Sequence, residues 1–174
     1  MHEDCISDRK SCRSSFVRRS MVALASLALL GAVPFTINAQ IATKKAITLE
    51  LAKNLTLAAE SEAKRIGCAV VVVVVDDGAN LVSLERMDNT QIGSIEVAIQ
   101  KAKTAISFKR PSKVYEDMVA AGRTTILRVP GVTPIEGGLP IVVDDQYIGA
   151  VGVSGGTSQQ DGQIAKAALG VLNH

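Results

Sequence analysis

The sequence has few of the residue types on which small catalytic and metal sites usually depend. Its 174 residues include two histidines, three cysteines and no tryptophan, and aromatic residues make up 3% of the chain. The histidines are His2 and His174, close to the chain ends, where side chains are often frayed. A serine–histidine nucleophile and a cysteine–histidine zinc site are therefore not supported. The core must instead be built from valine, isoleucine, leucine and alanine.

The first 39 residues resemble a secretory signal peptide. Arg13, Arg18 and Arg19 form a basic region before an apolar run over residues 21–33. That run is too short to span a bilayer comfortably, and residues 37–39 fit a small-residue cleavage site. We expect a single mature domain over residues 40–174 that is periplasmic or secreted and has no membrane span of its own. The choice between Sec and twin-arginine export stays open. The alternative is an N-terminal membrane anchor.

Removing that segment leaves a chain without net charge. The sequence has 19 basic and 17 acidic residues, of which five and three lie in the first 39, so 14 of each remain and the formal +2 becomes zero. No basic patch with interleaved aromatics is left, which argues against nucleic acid as a partner. A neutral surface is compatible with self-association. Cys68 is then the last cysteine, and it is more typical of a small core residue than of a reactive thiol.

The clearest strand is a run of six valines over residues 70–75. Valine favours strands, and a continuous apolar strand is buried on both faces, so this one should lie centrally in its sheet. A turn over residues 76–80 leads into a second strand at residues 81–85. Residues 141–153 contain a second hairpin, with its turn at Asp144 and Asp145.

Helical periodicity predicts three longer helices and one short one. They cover residues 48–66, about 94–108 and about 158–172, and Ser112 is expected to cap the short helix. In the second helix, alanine and isoleucine mark the buried face, and Lys101 is expected off it. The order α-β-β-α-α-β-β-α predicts an α+β fold, with one antiparallel sheet covered by helices on both faces.

Residues 149–161 predict a strand that turns on glycines into a capped helix. Thr157 and Gln160 fit a capping box. The start of a helix carries unpaired amide donors and suits a carboxylate or phosphate. The residues placed at this start are Ser154, Gly155, Gly156 and Thr157. The segment lacks the P-loop lysine and the dinucleotide spacing, and a tight, well-capped connection is the alternative interpretation.

Glu136 is the acid that most invites a chemical role, because Gly137 and Gly138 follow it and expose the neighbouring amides. Beside an apolar wall, such a carboxylate can act as a general base. The alternative is a carboxylate satisfied by nearby amides or paired with Arg110 or Arg123. No spaced carboxylate set argues for calcium.

Other candidate ligand contacts lie outside the glycine-rich segments. Methionine and tyrosine can approach a metal, although each is more often a packing residue. The candidates of this kind are Met87, Met118, Tyr115 and Tyr147. Lys109 and Arg110, at a helix end, could hold the carboxylates of a large planar ligand, whereas an ordinary basic helix end is the alternative. Arg86, next to Met87, is the remaining candidate for a ligand contact.

Taken in order, several motifs resemble the GlcG/HbpS family over nearly the whole mature chain. They are Asp76-x-Gly78-x-x-Leu81-Val82, Arg86-Met87-Asp88, Ser94-x-x-x-Ala98-x-x-Lys101-Ala102, Arg110-Pro111-Ser112, Pro134-Ile-Glu136-Gly-Gly-Leu-Pro140, and Gly149-Ala-Val-Gly-Val-Ser-Gly-Gly156 with Asp161. The resemblance implies a profilin-like sandwich around a five-stranded antiparallel sheet, with the fifth strand near residues 123–134. It also implies homo-oligomers, haem binding in some members, and a relation to the C-terminal domain of corrinoid adenosyltransferases.

The chain departs from a histidine-ligated haem protein because the mature sequence has no internal histidine. Iron would need methionine, tyrosine, threonine, a basic side chain or a partner subunit. We expect an exported oligomer that binds haem or a related tetrapyrrole, such as a corrinoid, between subunits. The alternative is an enzyme acting on a small carboxylate, with Glu136 as general base and residues 154–157 holding the anion. A subunit that binds no ligand is the third interpretation.

Overall fold

The computed structural model describes residues 42–173, so the expected signal peptide lies outside the described residues. The elements are α1 (Leu49–Ile66), β1 (Val71–Asp76), β2 (Leu81–Arg86), α2 (Gly93–Ser107), α3 (Lys113–Ala120), β3 (Gly138–Val143), β4 (Gln146–Ser154) and α4 (Ser158–Leu169), with short 3-10 helices at Thr124–Arg128 and Gly170–Asn173. The predicted α+β order is confirmed. None of the helices in this part of the chain is long and apolar enough to cross a membrane.

The four strands form one antiparallel sheet in the order β2-β1-β4-β3. Val71 pairs with Arg86 on one side and with Ser154 on the other, and Gly138 pairs with Gly152. Arg86, Ser154 and Gly138 therefore lie at one end of the sheet, which we call the glycine end. Both hairpin turns lie at the opposite end, which we call the turn end.

The valine strand is central, as predicted, and separates two apolar clusters. All six valines from Val70 to Val75 are fully buried. Val70, Val72 and Val74 face the cluster formed with α1 and α4. Val71, Val73 and Val75 face the cluster formed with α2, which contributes mainly alanines. The alternation follows from the two-residue period of a strand, and it confirms helices on both faces.

Several helices begin and end with ordinary capping chemistry. The hydroxyl of Thr48 accepts a hydrogen bond from the N–H of Leu51, and α1 ends at Gly67 with φ of 72°. Thr157 and Gln160 form the predicted capping box at the start of α4. Ser112 was predicted to cap α3, and this is wrong because its hydroxyl makes no capping bond. Instead the hydroxyl donates to the carbonyl of Ile135 at 2.6 Å and accepts from the N–H of Gly138 at 2.9 Å.

The fifth strand expected near residues 123–134 is not formed within residues 42–173. That segment contains the 3-10 helix Thr124–Arg128 and an irregular loop. The loop carries two prolines, which cannot donate to a strand ladder, and Gly131 has φ of 77°. The hydroxyl of Thr104 holds the loop by donating to the carbonyl of Gly131 and accepting from the N–H of Thr133. The likeness to profilin stays a prediction.

Candidate functional site

The Glu136 segment and the start of α4 lie side by side at the glycine end. The N–H of Val153 donates to the carbonyl of Gly137 at 2.9 Å. Gly162, the fifth residue of α4, lies so close to Glu136 that a Cβ there would overlap the glutamate carboxylate. The two segments that the sequence singled out separately therefore form one surface.

Beneath this surface lies a buried ion pair between Lys101 of α2 and Asp161 of α4. The Nζ–Oδ2 distance is 2.7 Å, and the side chains are 1% and 3% exposed. Lys101 Nζ also donates to the carbonyl of Val153 at 3.0 Å, and Asp161 Oδ1 accepts from the N–H of Gly156 at 2.9 Å. The pair thus ties α2, β4 and the start of α4 together.

Lys101 corrects a prediction, because the sequence placed it off the buried face of its helix. Its position was nevertheless readable, since it follows Ala98 by three residues and precedes Ala105 by four. Residues at these spacings share one helical face. A lysine on an alanine face, with an aspartate in the first turn of a later helix, is the signal that could have indicated the pair.

The glycines of this region make room for neighbouring main chain. Gly138 and Gly152 are cross-strand partners. A Cβ on Gly138 would overlap the carbonyl oxygen of Lys101, and a Cβ on Gly152 that of Ala98. At Gly137, with φ of 125°, an added Cβ would lie 2.6 Å from the carbonyl oxygen of Val153 and 2.9 Å from Asp161 Cβ. Close packing therefore accounts for Gly137 and Gly138, and their ligand-binding roles stay predictions.

The amide donors at the start of α4 already have partners within the protein. The N–H of Gly156 donates to Asp161, and the N–H of Thr157 donates to Gln160 Oε1 at 2.9 Å. Ser154 is buried, and Gly155 is half-buried with φ of 153°. An anion at this helix start would have to displace or bridge these internal bonds. Its binding there stays a prediction.

The Glu136 side chain is 10% exposed, and its nearest cation is Lys113, at 3.7 Å from Oε2. The sequence alternative that paired Glu136 with Arg110 or Arg123 is therefore not what the fold provides. The main-chain N–H of Glu136 donates to the carboxylate of Glu116. The hydrogen bond that Lys113 donates to Asp117, with the nearby charges of Asp117, Glu136 and Glu116, raises the pKa of Lys113. Within residues 42–173, no hydrogen bond reaches the Glu136 carboxylate.

The remaining candidates do not join this surface. Arg86 is exposed and Met87 half-buried at the glycine end, but Arg86 ends β2 and Met87 follows it, at the opposite edge of the sheet from β3. Tyr115 is 4% exposed, and its ring meets that of Phe108 edge-on at 5.5 Å. Lys109 and Arg110 are exposed beyond the end of α2.

Lys109 belongs to a second group of candidates, away from Glu136. Its Nζ lies 5.4 Å from the ring centroid of Tyr147. Tyr147 follows the β3–β4 turn and therefore lies at the turn end. In the part of the chain that the structure describes, no cluster of three or more histidine, cysteine, aspartate or glutamate side chains could hold a metal ion.

With the geometry established, comparison with known proteins decides the family. A family model described as haem degrading protein HbpS-like matches residues 47–170. The chain belongs to the HbpS-like family. Among relatives of this HbpS-like chain, protein GlcG of Escherichia coli K12 is 44% identical over 112 residues, which cover 64% of this chain and 84% of GlcG.

Two solved structures share both the fold and part of the sequence of this HbpS-like domain. A double mutant of HbpS from Streptomyces reticuli has a TM-score of 0.70 and 30% identity, covering 77% of this chain and 92% of that one. The PduOC:Heme complex has a TM-score of 0.67 and 30% identity, covering 74% of this chain and 96% of that one. Corrinoid adenosyltransferase PduO of Salmonella typhimurium is 31% identical over 135 residues, which cover 75% of this chain and 40% of PduO. The resemblance to the GlcG/HbpS family and the relation to corrinoid adenosyltransferases are thereby confirmed.

Proposed function

We propose that this chain binds haem. The observation that carries the proposal is the similarity to the PduOC:Heme complex, whose chain is covered over 96% of its length at a TM-score of 0.67. The matched region spans almost all of a domain that is known in complex with haem, rather than an isolated motif. The family description, which names haem, points the same way.

The donor set of the described residues fits a haem that is held without histidine. Both histidines lie outside residues 42–173. Within those residues, the thiol, thioether and phenol side chains that can ligate haem iron are Cys68, Met87, Met118, Tyr115 and Tyr147. Tyrosine and cysteine each serve as sole protein ligand in known haem proteins. Bound haem would supply a redox-active iron and two propionates, and exposed cations such as Lys109 and Arg110 suit propionates.

We also propose that the protein is exported and acts as a homo-oligomer that holds its ligand between subunits. Support for export comes from the signal-like residues 1–39, and support for self-association from the neutral mature chain. Mass spectrometry of exported protein should find an N-terminus at Gln40, and native mass spectrometry should find more than one subunit. A full-length monomer would contradict both parts.

Titration of the mature protein with hemin tests the main proposal. We expect a saturable shift of the Soret band at a fixed stoichiometry. The same protein unfolded in urea is the matched control, because it retains every side chain and should lose the shift. A parallel titration with a corrinoid tests whether the protein prefers haem or binds this related tetrapyrrole instead. Absence of a saturable Soret shift would overturn haem binding.

A second candidate function is catalysis on a small carboxylate with Glu136 as general base. It is favoured by a carboxylate that is nine-tenths buried and receives no hydrogen bond within residues 42–173. In a screen of small hydroxy- and oxo-carboxylates, Glu136→Gln should abolish turnover and preserve the circular dichroism spectrum. Asp145→Asn, an exposed acid removed at the turn end, should retain turnover. Unchanged turnover in Glu136→Gln would exclude this role. If the chain neither binds a tetrapyrrole nor turns over substrate, the interpretation as a ligand-free subunit gains support.

A further inference from the structure

Two adjacent cations at the end of α2 have no acidic partner. Ion pairs within residues 42–173 engage lysines and arginines elsewhere, such as Lys64 with Glu60 and Lys101 with Asp161. Lys109 and Arg110 appear in none of them, and both are exposed. Arg110 Nε donates only to the carbonyl of Phe108, at 3.3 Å. The chain therefore presents two neighbouring positive charges that are free to meet anionic groups.

Tyr147 lies beside the first of these cations, Lys109. Lys109 Nζ is 5.4 Å from its ring centroid, and the ring packs against the α2-side cluster while remaining half-buried. Lys109 has φ of 52°, so the chain turns sharply where α2 ends and carries Lys109 over the ring. A phenol oxygen is a hard donor that suits ferric iron.

An apolar neighbour completes the surface. Val142 is the cross-strand partner of Tyr147, and its residue surface is 40% exposed. Cross-strand partners project to the same side of a sheet. Tyr147 thus has an aliphatic cross-strand partner and Lys109 over its ring, and Arg110 follows Lys109 in the chain. A phenol, an apolar surface and two cations are the features that iron, a macrocycle face and two propionates require.

The other iron-ligand types fit less well. Tyr115 is 4% exposed. Met87 and Cys68 pack against the cluster on the opposite face of the sheet. Near Cys68, the basic residues Lys64 and Arg65 are already paired with Glu60 and Glu62. Met118 is half-buried on α3, and methionine ligates haem iron together with histidine, which residues 42–173 lack.

We propose that Tyr147 is the protein ligand of haem iron and that Lys109 and Arg110 pair with the propionates. This inference rests on the proposed haem binding and assigns its place on the domain. It locates the site at the turn end of β3 and β4, away from Glu136.

The test is hemin titration of the wild-type protein, Tyr147→Phe and the matched control Tyr115→Phe, followed by resonance Raman spectroscopy. Wild type and Tyr115→Phe should show iron–phenolate vibrations. Tyr147→Phe should lose them and bind hemin at least about tenfold more weakly, since an iron ligand is missing. Lys109→Ala and Arg110→Ala should each weaken binding several-fold, whereas Lys166→Ala, a charge removed on α4, should not.

The outcomes distinguish haem binding itself from the assignment of Tyr147. If Tyr147→Phe keeps the phenolate vibrations and full affinity, the Tyr147 assignment is overturned while haem binding stands. If wild type shows a saturable Soret shift without phenolate vibrations, the assignment is overturned as well. If wild type shows no saturable shift, both proposals fail. Circular dichroism of each variant ensures that lost binding is not lost folding.

Discussion

At the scale of single residues, the most consequential feature is the buried pair of Lys101 and Asp161. Both charges are removed from water, so each depends on the other and on the main-chain groups of Val153 and Gly156. Such pairs contribute modest net stability, but they are very sensitive to loss of one partner, because the remaining charge is left buried without compensation. The pair therefore acts mainly to fix how α4 meets α2.

We expect Lys101→Met to lower the free energy of unfolding by about 3–5 kcal/mol, because it leaves the buried Asp161 carboxylate without a cation. The double variant Lys101→Met with Asp161→Asn should recover most of that loss, since no charge remains and an oxygen is kept for the N–H of Gly156. Urea unfolding measures the free energy of unfolding of the wild type and of each variant. Lys64→Met, which breaks an exposed pair with Glu60, is the control and should cost less than about 1 kcal/mol. Equal costs for Lys101→Met and Lys64→Met would contradict this role.

Glu62 gives the protein an acid-sensitive contact between α1 and α4. Hydrogen bonds from Arg65 first and Gln163 second lower the pKa of Glu62 from 4.5 to about 2. The unfolded chain then binds more protons than the folded chain between these values. The stabilisation is present above pH 4.5 and is lost as the pH falls towards 2.

We therefore expect Glu62→Gln to flatten the pH dependence of stability between pH 5 and 2, as measured by urea unfolding at several pH values. High salt should reduce the difference because the contact is close to solvent. Asp88→Asn is the control, since Asp88 is exposed and accepts no hydrogen bond within residues 42–173. A pH profile of Glu62→Gln that matches wild type would show that Glu62 contributes nothing.

At the scale of elements, the docking of α2 depends on two facing glycines. Gly138 and Gly152 pair across β3 and β4, and the helix main chain occupies the space where their side chains would be. Alanines on the helix side allow the same close approach. The contact is main chain against main chain, so neither partner can move aside by changing a rotamer.

Gly152→Ala should therefore cost about 3 kcal/mol or more, at the upper end of the usual range for overpacking. Gly170→Ala is the matched control, because its φ of −56° suits alanine and no atom lies within 4 Å of an added Cβ. It should be neutral or stabilise by up to about 1 kcal/mol. Thermal unfolding of both variants measures the change in stability. A neutral Gly152→Ala would mean that α2 packs less closely against β4 than the structure shows.

Much of this element structure could be predicted because its causes are local. The valine run, the Gly67 stop and the capping box at Thr157 each follow from the preferences of a few neighbouring residues. The failures have non-local causes. The hydroxyl of Ser112 bonds to residues more than twenty positions away, and Lys101 is buried because Asp161 lies opposite it in the fold.

The candidate site was predicted only in part for the same reason. Glu136 lies against the start of α4 because of the way β3 pairs with β4. The sequence predicts that pairing but not its register. That Lys109 lies over Tyr147 depends on the unusual backbone turn at the end of α2. Residues of both groups were named from the sequence, but their separation into two surfaces at opposite ends of the sheet needed the fold.

At the scale of the whole molecule, one strand serves two cores. Val72 belongs to the cluster under α1 and α4, and Val73 to the cluster under α2. Because both clusters share the backbone of β1, neither can lose its packing while the other stays intact. The described domain should therefore unfold as one cooperative unit.

We expect Val72→Ala and Val73→Ala each to cost about 2–3 kcal/mol, from lost burial and residual cavities. Both should keep a single transition in which far-UV circular dichroism and tyrosine fluorescence coincide. Tyr147 reports on the α2 side, whereas the dichroism reports on all helices. Transitions that separate in Val73→Ala alone would show that the two clusters unfold independently.

The burial of Lys101 also makes the protein its own chemical reporter. An acylating reagent can reach this amine, 1% exposed in the folded state, only when α2 and α4 part. Exposed lysines such as Lys109 react without any opening and supply an internal reference. Peptide mass spectrometry of briefly acylated protein therefore measures how often the contact between α2 and α4 opens. The measurement works in dilute solution or inside a living cell, with no dye or tag attached.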